Sequence, residues 1–221
     1  MNRLAAEAAY AAILFLWVML VVALLSRKLY EWIRARGKPH NVAVYYARKF
    51  IHAAAGGLVA LLVPYLFSTP LLPFALAMVL AVLTYIPHRT GKLMEWFQVP
   101  DNIYEVHFCL TWGLSVALCW LIFGDLWHAV APIAFMAFGD AVTGVVRNAL
   151  YGRRTKAWVG NLAMALVSGP VGYAVAGAWG ALAGLAASVV EHFEVGPIDD
   201  NVTVPLTALA VLAVGRALAG S

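Results

Sequence analysis

Charge is what this 221-residue sequence has least of: 12% of its residues are Asp, Glu, Lys or Arg, against 63% that are apolar. A soluble domain carries about twice that share of charge, so an ordinary soluble fold is excluded and an all-α polytopic membrane bundle is expected. Cysteine is nearly as scarce. Cys109 and Cys119 fall in one apolar run, and on a helix rising ~1.5 Å per residue they stand about 15 Å apart, too far for a bridge. No disulfide framework is available to this chain, and its redox compartment cannot be read from its thiols. The first apolar run, 8–25, lacks an A-x-A cleavage site and is followed by Arg27 and Lys28, so it is expected to stay as an anchor. There is no repeat of solenoid length and no low-complexity tract.

Other absences remove whole chemistries. The six histidines have no zinc-ligand spacing, so no zinc is expected, and His107 and His128 read as interfacial or packing groups. Gly139 and Gly144 have the spacing that opens a phosphate-binding P-loop, but Val145 and Val146 stand where Lys and Ser or Thr must follow. His88-Arg89-Thr90 lacks the Asp that a soluble-kinase catalytic loop uses as base. The formal charge of +4 comes mostly from cations that flank apolar runs, where they set membrane orientation, and nucleic-acid binding is excluded.

What is present is a series of about eight spans, at roughly 8–25, 50–67, 71–87, 105–123, 126–150, 162–178, 181–193 and 202–218. The connections 68–70, 124–125 and 179–180 hold no Lys or Arg, whereas the alternate loops hold Arg89 and Lys92, then Arg153, Arg154 and Lys156. The positive-inside rule makes the charged loops cytoplasmic and puts both the N- and C-termini outside. Segment 28–49, with Tyr30, Trp32, Tyr45 and Tyr46 among its cations, reads as a basic stretch along the headgroups. The expected organisation is a single membrane domain over 1–221: an anchor at 1–27, the basic cytoplasmic interfacial segment at 28–49, and a helix bundle at 50–221 that carries the chemistry. Gly56-Gly57 with Ala53 to Ala55, and Gly180-x-x-x-Gly184, read as close helix packing.

The chemistry centres on Asp140. A carboxylate inside an apolar run is costly, and by default it faces a protein or water-filled interior and signals a functional site. Arg147 follows seven positions later, so Asp140 lies about 10 Å below that level, within reach of a shallow polar cavity. Under the assigned topology Arg48, Lys49, His52, Asp140, Glu191, Glu194, Asp199, Asp200 and Asn201 share one side of the membrane. The loop 196–201 reads GPIDDN, a turn presenting two carboxylates and an amide, and so many anions without a cation ask for a counter-charge such as a bound metal. Carboxylates ringed by Lys and Arg are what a Mg-nucleotide requires, the acids holding Mg2+ and the cations neutralising phosphate oxygens. His52 stands one turn after Arg48 on the same face and is open between a ligand contact and a structural hydrogen bond.

Three ordered blocks carry a resemblance: Arg48-Lys49-x-x-His52; Gly139-Asp140-Ala141 followed by Gly144, Gly152 and Lys156-x-Trp158-x-Gly160; and Glu191 followed by Asp199-Asp200-Asn201 and Pro205. Together they resemble the polyprenol kinase family of CTP-dependent lipid kinases, which includes dolichol kinase, phytol kinase and the CTP-using diacylglycerol kinase. The blocks extend from residue 48 to 205. Two positions depart from the family pattern, since Ala157 and Asn161 stand where Ser or Thr is common, and only one span precedes the first block. The resemblance implies a compact prokaryotic relative in the cell membrane, with its active site facing the cytoplasm. It would transfer the γ-phosphate of CTP to a polyprenol, dolichol, geranylgeraniol, phytol or diacylglycerol hydroxyl. It further implies Asp140, Lys156 and Asp200 as catalytic residues, and Mg2+ on Asp140, Asp199 and Asp200. Arg48, Lys49, His52, Gly144, Arg153, Arg154, Lys156, Gly160, Glu191 and Asn201 would bind the nucleotide and its phosphates. The partners so implied are CTP, a membrane lipid alcohol and the bilayer. The same residues also suit a CDP-lipid synthase, in which a lipid phosphate attacks the α-phosphorus of CTP. A transporter is the rival from another class, with Asp140 on an ion path.

Overall fold

A computed structural model describes residues 2–152, 155–193 and 198–219. The described chain is all-α, and seven of its helices are long and apolar enough to cross a membrane: α1 (Arg3–Ala35), α2 (His40–Leu66), α3 (Leu71–Thr90), α4 (Tyr104–Phe123), α5 (Val130–Tyr151), α6 (Trp158–Val190) and α7 (Asp200–Ala219). The chain is an integral membrane protein. α5 forms the centre, with 72% of its most apolar window inside the protein, against 17% for α1 and α3, which therefore face lipid.

Seven helices rather than eight follow from α6, which holds the expected sixth and seventh spans. Its backbone breaks at Ala176 (φ −141°, ψ 28°) and Gly177 (φ 57°, ψ −141°), and the second conformation is one that a side chain would resist. There the helix doubles back. A Cβ on Gly172 would lie 2.0 Å from Gly180 O, and one on Gly184 would lie 2.4 Å from Ser168 O, so the two limbs run antiparallel with their backbones in contact. The Gly180-x-x-x-Gly184 spacing is thus a packing device, as the sequence implies, although the turn comes at 176–177 and not at 179–180. At the open end of the hairpin the rings of Trp158 and His192 stack at 3.9 Å.

The basic stretch 28–49 is no separate strip. α1 continues to Ala35 and α2 starts at His40, so most of its residues form the ends of two helices, which meet where Tyr30 Oη faces His40 Nδ1 at 2.8 Å. α1 has 33 residues, about 50 Å at ~1.5 Å each, which exceeds a hydrocarbon core of about 30 Å and carries this end beyond it.

Among the described residues three π-turns interrupt the helices, at Val21–Leu25, His52–Gly57 and Phe135–Gly139. A wider turn loosens the carbonyl ladder, and in hydrocarbon each freed oxygen needs a donor. Indole N–H groups supply it: Trp96 reaches Val22 O at 2.9 Å, Trp17 reaches Ala54 O at 2.9 Å and Trp112 reaches Gly56 O at 3.1 Å. Thr143 Oγ1 donates to Gly139 O at 2.9 Å. The second and third π-turns pack against each other, and a Cβ on Gly56 or Gly57 would strike the ring of Phe108 or Phe138 at 2.4 Å. That packing sets Lys49 and His52 beside Asp140.

The two ends of the bundle are chemically unlike. Glu7 Oε1 accepts from the Ser68 amide and hydroxyl, the guanidinium of Arg216 lies over Phe123, and Asp125 pairs with His128. These contacts put both described termini at one end, and among the described residues Arg3 and Arg216 are its cations. Among the described residues, Arg48, Lys49, His52, Asp140, Lys156, Glu191, Asp199, Asp200 and Asn201 gather at the other end.

Candidate active site

Asp140 opens the α-helical part of α5 directly after a π-turn and is 3% exposed. Its Oδ2 accepts from Lys49 Nζ and faces His52 Nδ1 at 3.2 Å; against a carboxylate the ring nitrogen is the donor. His52 in turn stacks on Phe108, with centroids 4.2 Å apart. Lys49 reaches Asp140 because position 144 has no side chain: a Cβ there would lie 2.5 Å from Tyr45 Oη and 2.8 Å from Lys49 Cε. His52 is thus a hydrogen-bond partner of the central acid, and Gly144 is the space through which the lysine passes.

Seven positions along α5 and on the same face, Arg147 builds a second knot. Its Nη1 and Nη2 donate to Glu191 Oε1 and Oε2 at 2.8 and 2.9 Å, Nη2 also donates to Asn161 Oδ1 at 2.7 Å, and Nε donates to Ala157 O at 2.9 Å. A Cβ on Gly160 would sit 2.3 Å from Arg147 Nε, so this glycine admits the guanidinium. Glu191 takes two further donors: Lys156 Nζ on Oε1 at 2.9 Å and Asn161 Nδ2 on Oε2 at 3.0 Å. Four donors fill its four lone-pair positions. Asn161, one of the departures from the family pattern, holds the knot together, since its amide also donates to Ser188 O at 2.6 Å across the α6 hairpin.

The acid pair at the start of α7 divides its work. Asp199 stands just ahead of the helix, its Oδ1 accepting from the Asn201 amide at 3.0 Å and its Oδ2 facing His107 Nδ1 at 3.1 Å. Both oxygens are engaged, one of them as a helix N-cap. Burial and the neighbouring Asp200 charge push the Asp199 carboxyl above its ordinary range. Asp200 touches Lys156 Nζ through Oδ2 at 3.3 Å. Asn201 Nδ2 donates to Tyr104 O at 3.3 Å, while Asn201 Oδ1 is buried with no partner among the described residues.

Asp140, Glu191 and Asp200 bring one carboxylate oxygen each to within 4.8 Å of one another. Sequence reasoning put Asp199 in this set; the structure gives its oxygens to His107 and the α7 cap and brings Glu191 in. Three hard oxygen donors suit a hard divalent cation. Two oxygens on opposite sides of Mg2+ stand about 4.2 Å apart, so the set needs only a small contraction to hold one. With Glu191 saturated, the open positions are the second oxygens of Asp140 and Asp200, which take no hydrogen bond from a described residue.

Of the other expected site residues, Arg48 lies with its guanidinium 3.9 Å from the Tyr104 ring and forms no ion pair with a described carboxylate. Arg153, Arg154 and Glu194 lie outside the described residues. Sequence reasoning missed Arg147 and Asn161 as members of the site, although 140, 144 and 147 share a helix face and the heptad spacing could have found the arginine. It also missed Glu105, whose Oε1 faces His88 Nε2 at 2.5 Å and accepts from Gln98 Nε2 at 2.6 Å. An acid opening one apolar run and a histidine closing the previous one were the available signal. Compared with protein-family models, curated proteins and solved structures, the chain finds no match.

Proposed function

We propose that this protein is a lipid-alcohol kinase that transfers the terminal phosphoryl group of CTP to a hydroxyl at the membrane face. The observation that carries the reading is the juxtaposition at one end of the bundle of a buried carboxylate, Asp140, and a half-buried one, Asp200, with four cations, Arg48, Lys49, Arg147 and Lys156. Phosphoryl transfer asks for little else from a protein than positioning and charge stabilisation. Asp140 and Asp200, with Glu191 beside them, would hold Mg2+, which when bound neutralises phosphate oxygens. Arg48 is placed to meet phosphate without first leaving a carboxylate. Lys49 and Lys156 hold the acids in register and turn toward phosphate as it arrives. In the reaction the alcohol oxygen forms a bond to the γ-phosphorus, the bond to the β–γ bridging oxygen breaks, CDP leaves with that electron pair, and a carboxylate takes the hydroxyl proton. CTP as the donor, and the isoprenoid or diacylglycerol class of the acceptor, rest on the motif resemblance. The positive-inside rule assigns this cation-rich end to the cytoplasm.

The test is purified protein in lipid with Mg2+, γ-labelled CTP and a panel of isoprenoid alcohols and diacylglycerol. Label in a lipid monophosphate, with CDP released, is expected. Label in pyrophosphate together with an α-labelled CDP-lipid, formed from a lipid phosphate, would replace the kinase by a CDP-lipid synthase. Uptake into vesicles with no lipid product would sink both in favour of a transporter, a reading that the crowding of these charges at one end disfavours.

A further inference from the structure

Besides the apolar cavity between α1, α2, α3 and α4, a second cavity of about 430 Å³ lies at the end of the bundle far from Asp140, between the end of α4, the reversal of α6 and the last turns of α7. Leu212 and Gly215 are its buried floor, and Arg216 stands exposed at its rim. Aromatic rings make the walls. Phe123 and His128 stack almost parallel, 3° apart with centroids at 4.0 Å. Trp179 lies against position 215, where a Cβ would come within 2.4 Å of its ring, so the glycine is what makes room for the indole.

The charge in these walls is of one sign. No described Asp or Glu lines the cavity, and Asp125, beside it, is taken up by the His128 ring and amide. Arg216 has its guanidinium 5.6 Å from the Phe123 ring and forms no ion pair with a described carboxylate, whereas Arg3, the other described cation at this end, pairs with Glu7 at 3.3 Å. α7 has 20 residues, about 30 Å at ~1.5 Å each, which is the thickness of a hydrocarbon core, and Arg216 stands in its last turn. That is the depth at which the phosphates of a lipid leaflet begin. A guanidinium donates two parallel hydrogen bonds to a phosphate. The rings beside it cover the glycerol and first acyl carbons, which a lipid phosphate carries and a free phosphate lacks. An ammonium headgroup finds no unengaged acid in these walls to receive it.

We infer that this cavity holds the headgroup of an anionic phospholipid, its phosphodiester on Arg216 and its glycerol against Phe123 and Trp179, with the acyl chains along the lipid-facing outside of the bundle. So placed, the lipid ties the α4–α5 turn, the α6 reversal and the end of α7 together. The inference is independent of the kinase reading, because none of these residues belongs to the acid-rich end.

The experiment needs no nucleotide. The full-length protein in detergent is stripped of lipid and offered phosphatidylglycerol, phosphatidylethanolamine, diacylglycerol or inorganic phosphate; native mass spectrometry counts what is retained, and thermal unfolding is followed in parallel. The native protein should retain one more phosphatidylglycerol than Arg216→Gln does. That extra molecule should be held about tenfold or more better than diacylglycerol, the margin that hydrogen bonds between charged groups imply, and severalfold better than phosphatidylethanolamine. It should also raise the unfolding temperature, as a ligand of the folded state does. Inorganic phosphate should leave that temperature where it was. Ala219→Trp, which crowds the rim and leaves the charge in place, should lose the extra lipid as well, and it decides the matter if Arg216→Gln does not fold. Arg3→Gln, a control for general attraction to this end, should behave as the native protein. Equal lipid counts in the native protein and Ala219→Trp, or an equal loss in Arg3→Gln and Arg216→Gln, would overturn the site. Retention of phosphatidylethanolamine or diacylglycerol matching that of phosphatidylglycerol would overturn the anionic headgroup, and a full thermal shift from inorganic phosphate would overturn the lipid.

Discussion

Two buried glutamates at the same end of the bundle are treated in opposite ways. Glu191, between the limbs of the α6 hairpin, receives Arg147 bidentately, Lys156 and Asn161, and has no lone pair left. Glu105, on the wall between α3 and α4, has one oxygen held by His88 and Gln98 and the other held by nothing described. A charge fixed by four donors is a structural element, because any ligand must first break bonds that the low-dielectric interior makes strong. A half-satisfied group lacks that restraint. The contrast extends to the helices themselves, with the α5–α7 side a mesh of paired charges and the α1–α4 side apolar walls around a cavity.

The sharpest way to break this comparison lies at the junction of the two regions. Asp140 is tied through His52 to the cavity wall and through its open oxygen to the site. Asp140→Asn should lower phosphoryl transfer from CTP by about a thousandfold or more, as expected when an electrostatic or metal-holding group is lost, while the protein remains folded in detergent. A packing bond between membrane helices averages only about 0.6 kcal/mol. Near-normal turnover with merely earlier melting would therefore make Asp140 a structural residue and end the division drawn here.

Arg147→Met probes the saturated side. It leaves Glu191 with Lys156 and Asn161 but removes the bidentate partner, and an under-compensated buried carboxylate should cost about 3–5 kcal/mol of stability, read as a fall in thermal unfolding temperature. Adding Glu191→Gln should restore much of the loss, because two residues in one network do not act additively. Full stability in the single variant would show that the clasp is slack and that Glu191 is freer to take a ligand than its hydrogen bonds imply.

Much of this was legible in the sequence. Asp140 announces itself as a carboxylate among apolar residues, the three motif blocks converge as their order implies, and the glycine pairs mark close backbones. The rest was hidden for physical reasons. Periodicity says that 158–190 is helical, but the reversal at Gly177 depends on how Gly172 and Gly180 meet. Spacing along the chain makes Asp199 and Asp200 look equivalent, and only the register of the α7 cap gives one of them to the helix. π-turns leave no composition signature, yet two of them set His52 and Asp140 face to face. Glu105 and Gln98 meet across a loop whose path no pattern fixes.

The smallest effect is expected at the far end, which serves as the control for the whole comparison. Burial pushes the Asp125 carboxyl up, but hydrogen bonds from the His128 ring and amide and the His128 charge outweigh it and hold the group below its ordinary range. A carboxyl lowered in the folded state adds stability that is fully present above the ordinary Asp range and is lost as pH falls through the lowered folded value. With Asp125 and His128 both substantially exposed, solvent screens the pair and the contribution is slight. Asp125→Asn should leave phosphoryl transfer unchanged, trim thermal stability marginally near neutrality, and make no difference once the pH is low enough to protonate the native residue. Rate measurements beside melting curves at neutral and acidic pH decide this. A loss of turnover in Asp125→Asn would mean that the far end is coupled to the chemistry and that the charge-rich end is not the whole site.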